Sequence, residues 1–171
     1  MSLSEILARR RVTLGWIVVV ATILLARPTW PAWRIGFLVA ALGEAVRIWA
    51  AGHLEKGREV TRSGPYRWTR HPLYVGSTIM AIGIVIASRS IGVAVLAAIY
   101  MTSTLTAAIR TEEAFLRRAF GDTYDRYRDS RAAPMPRRFS LARAMRNREY
   151  RAAAGLAAGF ALLALKVIGY L

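Results

Sequence analysis

The chain has 171 residues, 55% of them hydrophobic, and a formal net charge of +15 at pH 7. Its length fits one domain spanning residues 1–171, but so apolar a composition and a positive mean hydropathy are out of keeping with a water-soluble domain. It contains no cysteine, which excludes disulfides and thiolate-held zinc or iron–sulfur clusters.

Charge is almost absent from Val12–Ala26, Ile35–Ala51, Leu73–Ala87, Ile91–Ile109 and Ala152–Leu171. A spanning helix needs about 20 predominantly apolar residues. The last two stretches meet that directly, and the first and third need flanking residues or a locally thinned bilayer. The predicted fold class is therefore all-α, an integral membrane bundle of about five transmembrane helices. The basic residues sort with the connections. The segments before Val12, between Ala51 and Leu73, and between Ile109 and Ala152 hold three, five and twelve Lys or Arg, whereas the alternate connections hold only Arg27, Arg34 and Arg89. By the positive-inside rule the N-terminus and the two basic connections lie in the cytoplasm. The basic surface then faces anionic membrane lipids, and nucleic acid is not expected as a partner. Arginine outnumbers lysine 23 to 2, which suggests a bacterial cell and its inner membrane.

In chain order, Met1–Arg11 has the basic flank of a signal peptide, but no small-residue cleavage site follows Val12–Ala26, so the segment reads as a retained anchor. Arg27–Arg34 reads as a hairpin connection stopped by two prolines, with Trp30 and Trp33 as an interfacial belt. In the second span Glu44 and Arg47, three residues apart, share a helix face and can pair. They either fix helix packing or line a cavity. His53 follows at the cytoplasmic end. Gly64-Pro65 is a tight turn, and His71-Pro72 marks a helix start, because proline suits the first helical position. That N-terminus, with Arg70 and His71 beside it, is prepared for an anion at the membrane surface.

Ser88-Arg89-Ser90 joins the third and fourth spans as an antiparallel hairpin, which returns Glu112 and Glu113 to the depth of His71. On the third span, Gly83 serves close helix packing, and Gly76 serves either packing or room for a ligand. Ala114–Arg131 is too polar to span and is expected to fold over the cytoplasmic mouth as an amphipathic helix. Tyr124 and Tyr127 there are interfacial anchors, or, for Tyr124, part of a lid. Arg137–Arg151 reads as a headgroup-facing connector, and Lys166 as a snorkelling residue near the end of the last span. Only His53 and His71 could offer imidazole to a metal, and no ligand spacing accompanies them, so no metal site is expected.

Arg70-His-Pro-Leu-Tyr-Val-Gly76, preceded by Gly64-Pro-Tyr66 and followed by Arg110-Thr-Glu-Glu113 and Phe120-Gly-Asp-Thr-Tyr-Asp-Arg-Tyr127, resembles the isoprenylcysteine carboxyl methyltransferases and the related phospholipid methyltransferases. The resemblance covers residues 52–136. It implies an S-adenosyl-L-methionine-dependent methyltransferase acting on a lipid or prenylated acceptor, most like carboxyl O-methylation. Phospholipid ethanolamine N-methylation is the alternative. The cofactor would lie on His53, Tyr66, Arg70, His71, Pro72, Tyr74, Gly76, Glu113 and Tyr124. Arg110, Glu112 and Glu113 would carry the chemistry, Arg110 by orienting a carboxylate acceptor and a glutamate as base for an amine. Membrane reductases of sterol-like substrates share the Arg-His-Pro-x-Tyr-x-Gly core and use a nicotinamide cofactor. They usually show Asn after the Pro and an acidic residue after the Gly, where this chain has Leu73 and Ser77.

Overall fold

The computed structural model describes residues 15–169, and every regular element among them is helical. The basic flank at residues 1–11, the first residues of the predicted first span and the last two of the fifth lie outside the described residues. The elements are α1 (Gly15–Leu25), α2 (Trp30–Ala51), a 3₁₀ turn at Gly64–Arg67, α3 (Pro72–Ser88), α4 (Ile91–Phe120), α5 (Asp122–Arg128), α6 (Leu141–Arg146) and α7 (Tyr150–Ile168). Two of them, α4 and α7, are long and apolar enough to cross a membrane. Helices α1 and α3 are apolar but shorter, and α2 carries Arg34, Glu44 and Arg47 along its 22 residues.

Two boundaries depart from the sequence expectation. Helix α2 begins at Trp30 instead of Ile35, because Pro31 sits in its first turn, where a missing N–H costs nothing, and so starts this helix instead of stopping the one before. Helix α4 runs unbroken for 30 residues through Glu112 and Glu113 to Phe120, so Ala114–Arg131 is not a separate surface segment. The break falls at Gly121, whose φ of +46° suits a residue without Cβ. The short helix α5 follows.

Helices α2 and α3 make the closest pairing. A methyl group added at Gly36 would lie 2.4 Å from the Gly83 carbonyl oxygen, and one at Gly43 would lie 2.7 Å from that of Gly76. Two glycines on each helix, seven residues apart, thus let the backbones touch along two turns. Phe160 and Leu163 of α7 close over the other end with Ala26, Ala40 and Ala87. There Trp33 stacks on Phe37 and donates from Nε1 to the Phe160 carbonyl at 2.9 Å. Of the two expected belt tryptophans, then, Trp33 turns inward to pack, while Trp30 stays exposed. Lys166 does not snorkel outward. Its Nζ donates to the Ile23 and Leu24 carbonyls, satisfying the free end of α1 with a cation.

At the opposite end, residues 137–149 are stapled to the loop after α2 and do not form a detached connector. Arg137 forks onto the Glu59 carboxylate, Arg143 pairs with Glu55 at 2.7 Å, and the Asn147 amide donates to the carbonyls of Ala51 and Leu54.

Candidate functional site

The site is built where the first turn of α3 meets the last third of α4. The link between these helices is only two residues, Arg89 in the left-handed region and Ser90, whose hydroxyl caps α4 at the Val93 N–H. The hairpin carries α4 back beside the start of α3. His71 Nε2 lies 3.3 Å from Glu113 Oε1, Arg70 Nη1 lies 3.0 Å from the same oxygen, and the Tyr74 hydroxyl donates to Glu112 Oε2 at 2.8 Å. His71 Nδ1 is 3.8 Å from Glu112. Pro72, fully buried, sets the helix start, and the His71 N–H is taken by Thr69 Oγ1.

The electrostatics follow from this packing. Burial alone would lower the His71 imidazole, but the two facing carboxylates outweigh it and hold its pKa above the ordinary value. Burial would likewise raise both glutamates. His71 and the Tyr74 hydroxyl hold Glu112 below the usual carboxylate range, and His71 and Arg70 do the same for Glu113. The two carboxylates are therefore ionised at neutral pH, and they favour the cationic form of His71 beside Arg70. Tyr124 is completely buried, and among the described residues its hydroxyl finds no hydrogen-bond partner. Burial, and then the charge of Glu113, push its pKa up. His71 Nδ1 is also buried without a partner.

Tyr66 is buried and its carbonyl accepts from the Tyr127 hydroxyl at 2.7 Å. Burial is the main reason that the Tyr127 pKa is pushed up to about 12. Tyr127, read from the sequence as an interfacial anchor, instead ties α5 to the 3₁₀ turn. Its place three residues after Tyr124, on one helix face, is the signal that pairs the two.

Three expected residues stand elsewhere. His53 is buried against Ser63 and Gly64, with Nδ1 3.1 Å from Ser63 Oγ. Burial and then Arg143 and Arg137 lower its pKa. Gly76 faces α2, where a Cβ would meet Arg47 Cγ at 2.6 Å and the Gly43 carbonyl at 2.7 Å, so its space is filled by protein. Arg110 is exposed.

Beneath the cluster, Arg47 joins α2 to α3 and to Glu149, the residue that precedes α7. It donates to Glu149 Oε1 at 2.6 Å and to the Leu73 carbonyl and Ser77 hydroxyl of α3. Its expected partner Glu44 is only the weaker contact at 3.7 Å, and both Glu44 oxygens are buried without hydrogen bonds. Glu149, 102 residues from Arg47, gave no signal in the sequence.

The family model for phospholipid methyltransferases matches residues 11–123 of the 171. The chain belongs to the phospholipid methyltransferase family. It is 31% identical over 148 residues to the nickel-cobalt-cadmium resistance protein NccN of Alcaligenes xylosoxydans xylosoxydans, which covers 79% of this chain and 68% of that protein. It is also 31% identical over 131 residues to the cobalt-zinc-cadmium resistance protein CzcN of Cupriavidus metallidurans, covering 70% of this chain and 61% of that one. A protein-S-isoprenylcysteine O-methyltransferase of Schizosaccharomyces pombe is 30% identical over 94 residues, covering 55% of this chain and 40% of the relative. The chain thus spans about two thirds of the two bacterial relatives and less of the yeast enzyme. No solved structure matches it. The matched region holds Arg70, His71, Tyr74, Glu112 and Glu113 and ends one residue before Tyr124.

Proposed function

We propose that this chain is an integral membrane methyltransferase that binds S-adenosyl-L-methionine at the α3–α4 cluster and acts on a lipid or lipidated acceptor. Family membership supports the class. The observation that carries the site is the Glu112–Glu113 pair, held against Arg70, His71 and Tyr74 and facing a buried, unpartnered Tyr124 hydroxyl. The donor set fits the cofactor. Glu113 and Tyr124 suit ribose hydroxyls or a cationic centre, Arg70 and the α3 N-terminus suit its carboxylate, and Tyr66 and Tyr74 offer aromatic faces. When bound, the cofactor supplies an electrophilic methyl group on a sulfonium; the protein's part is to position and to exclude water.

Of the two acceptors, the geometry favours a carboxylate. An ammonium has a pKa near about 10, and both glutamates lie below the ordinary carboxylate value of 4.5 with one oxygen of each engaged. They are weak acceptors for that proton, whereas a carboxylate acceptor needs no base. We read five spans, with the cluster on the cytoplasmic side of a bacterial inner membrane, from the charge asymmetry of the connections. The names of the two bacterial relatives speak of metal resistance in those proteins.

The deciding experiment is isothermal titration of the detergent-purified chain with S-adenosylhomocysteine beside the reduced nicotinamide cofactor. Binding of the first alone is the expected result. Binding of the second alone would make the protein a reductase and remove the role given to the glutamates. With the cofactor established, methyl transfer to prenylcysteine analogues is then compared with transfer to phosphatidylethanolamine.

A further inference from the structure

An open cleft of ≈ 480 Å³ lies between the 3₁₀ turn and the segment after α5, and four arginines line it: Arg62, Arg67, Arg70 and Arg128. No acidic residue lines it. Arg70 and Arg128 are engaged by carboxylates outside the lining, Glu113 at 3.0 Å and Asp129 at 3.0 Å. Arg62 and Arg67 have no carboxylate within 4.0 Å among the described residues. Moreover, the Nε of Arg62 is buried and has no hydrogen-bond partner among the described residues. A desolvated guanidinium donor, in a wall where two of the four arginines lack a carboxylate partner, calls for an anionic acceptor, and the planar guanidinium fork matches a phosphate.

The depth of the cleft says where that phosphate comes from. Trp68 forms part of its wall and is 76% exposed. It leans on Trp49, itself exposed near the end of α2, with ring centroids 5.5 Å apart. An exposed tryptophan pair at the end of a helix is the composition of the membrane–water interface, the level at which headgroup phosphates lie. We propose that the cleft binds the phosphate of an anionic membrane lipid, through Arg62 and Arg67, as a site that adjoins the methyl-transfer cluster at Tyr66 and Arg70 but takes its own ligand. The lipid is a bound component of the protein that seats the loop at residues 62–70, and it need not be the methyl acceptor. The proposal stands whether or not the cluster binds S-adenosylmethionine.

The test is native mass spectrometry of the full chain in neutral detergent, titrated with short-chain phosphatidylglycerol, phosphatidylcholine of the same chain length, and inorganic phosphate. Phosphatidylglycerol is expected to bind about ten-fold or more tightly than phosphatidylcholine. The R62Q/R67Q variant is expected to lose that preference while its affinity for S-adenosylhomocysteine stays unchanged. Should that variant misfold, R62K/R67K keeps the charge but not the forks, and a several-fold loss is expected. Equal binding of the two lipids, or an unchanged preference in either variant, overturns the proposal. Displacement of phosphatidylglycerol by equimolar inorganic phosphate would make the ligand a free ion, and displacement by S-adenosylhomocysteine would make the cleft part of the cofactor site; either result overturns the lipid assignment.

Discussion

His71 and Glu113 are 42 residues apart in sequence, yet the imidazole Nε2 lies 3.3 Å from the carboxylate, and Arg70 reaches the same oxygen at 3.0 Å. This contact joins the start of α3 to the last third of α4, and the reading of the site rests on it. Replacing Glu113 with glutamine keeps the shape and removes the charge that Arg70 and His71 both face. S-adenosylhomocysteine affinity is expected to fall at least about ten-fold, the loss of one charge-assisted contact, while E113Q still elutes as a single species in detergent. Titration calorimetry checks it. Affinity equal to the wild type's would move the cofactor off α4.

The same contact sets a pH window. His71 is raised above its ordinary 6.5, so its contribution to stability is complete below that value and is lost as pH rises through the raised one. Glu112 and Glu113 are lowered from 4.5, so theirs is complete above 4.5 and is lost as pH falls through the lowered values. Unfolding temperature in detergent should therefore be highest between roughly 4.5 and 6.5 as far as these groups decide it. In H71A the decline on the alkaline side should flatten. An alkaline limb of the same slope in H71A would assign it to other groups.

How much of this was legible in the sequence depended on the distance over which each pattern acts. A three-residue link between two apolar helices can only be a tight hairpin, which is why the approach of Glu112 and Glu113 to His71 followed from Ser88-Arg89-Ser90. The glycine at position 83 read correctly as packing. Its neighbour Gly76 was ambiguous, because a missing side chain marks close approach without saying of what, and only α2 in place shows that the space is filled. The charged stretch from Ala114 reads as a separate amphipathic segment, but a helix does not end where its surroundings change; it ends where Gly121 adopts a φ of +46°. Least legible were the partners from the far end of the chain: Glu149 for Arg47, Glu55 for Arg143 and Glu59 for Arg137. Long-range ion pairs leave no local periodicity.

The glycine contacts between α2 and α3 give a stability prediction with an internal control. A methyl group at Gly36 would sit 2.4 Å from a backbone oxygen, which cannot yield as a flexible side chain can. G36A is expected to destabilise by about 1–3 kcal/mol or more through forced separation of the helices. G155A, on α7, meets nothing within 4 Å and should leave the unfolding temperature unchanged or slightly raised, since alanine is the better helix former. Thermal unfolding of both in one detergent checks the pair. Equal effects would mean that the glycines do not set the approach of α2 to α3.

Arg47 offers the sharpest test of what supports the site without touching it. Its side chain is 20% exposed and that of Glu149 only 7%, so removing the arginine strands a buried carboxylate, with Glu44 already lacking hydrogen bonds. R47M is expected to cost about 3–5 kcal/mol, as breaking a buried pair from one side does. The double variant R47M/E149Q removes the stranded charge with its partner, so it should recover part of that loss. Because Arg47 also holds the Leu73 carbonyl and Ser77 hydroxyl, the first turn of α3 should loosen in both variants. Cofactor affinity should then stay low in the double variant even where stability returns. Recovery of both together would reduce Arg47 to a purely structural ion-pair partner. Stability recovered without affinity would establish that it positions His71 and Tyr74 from below.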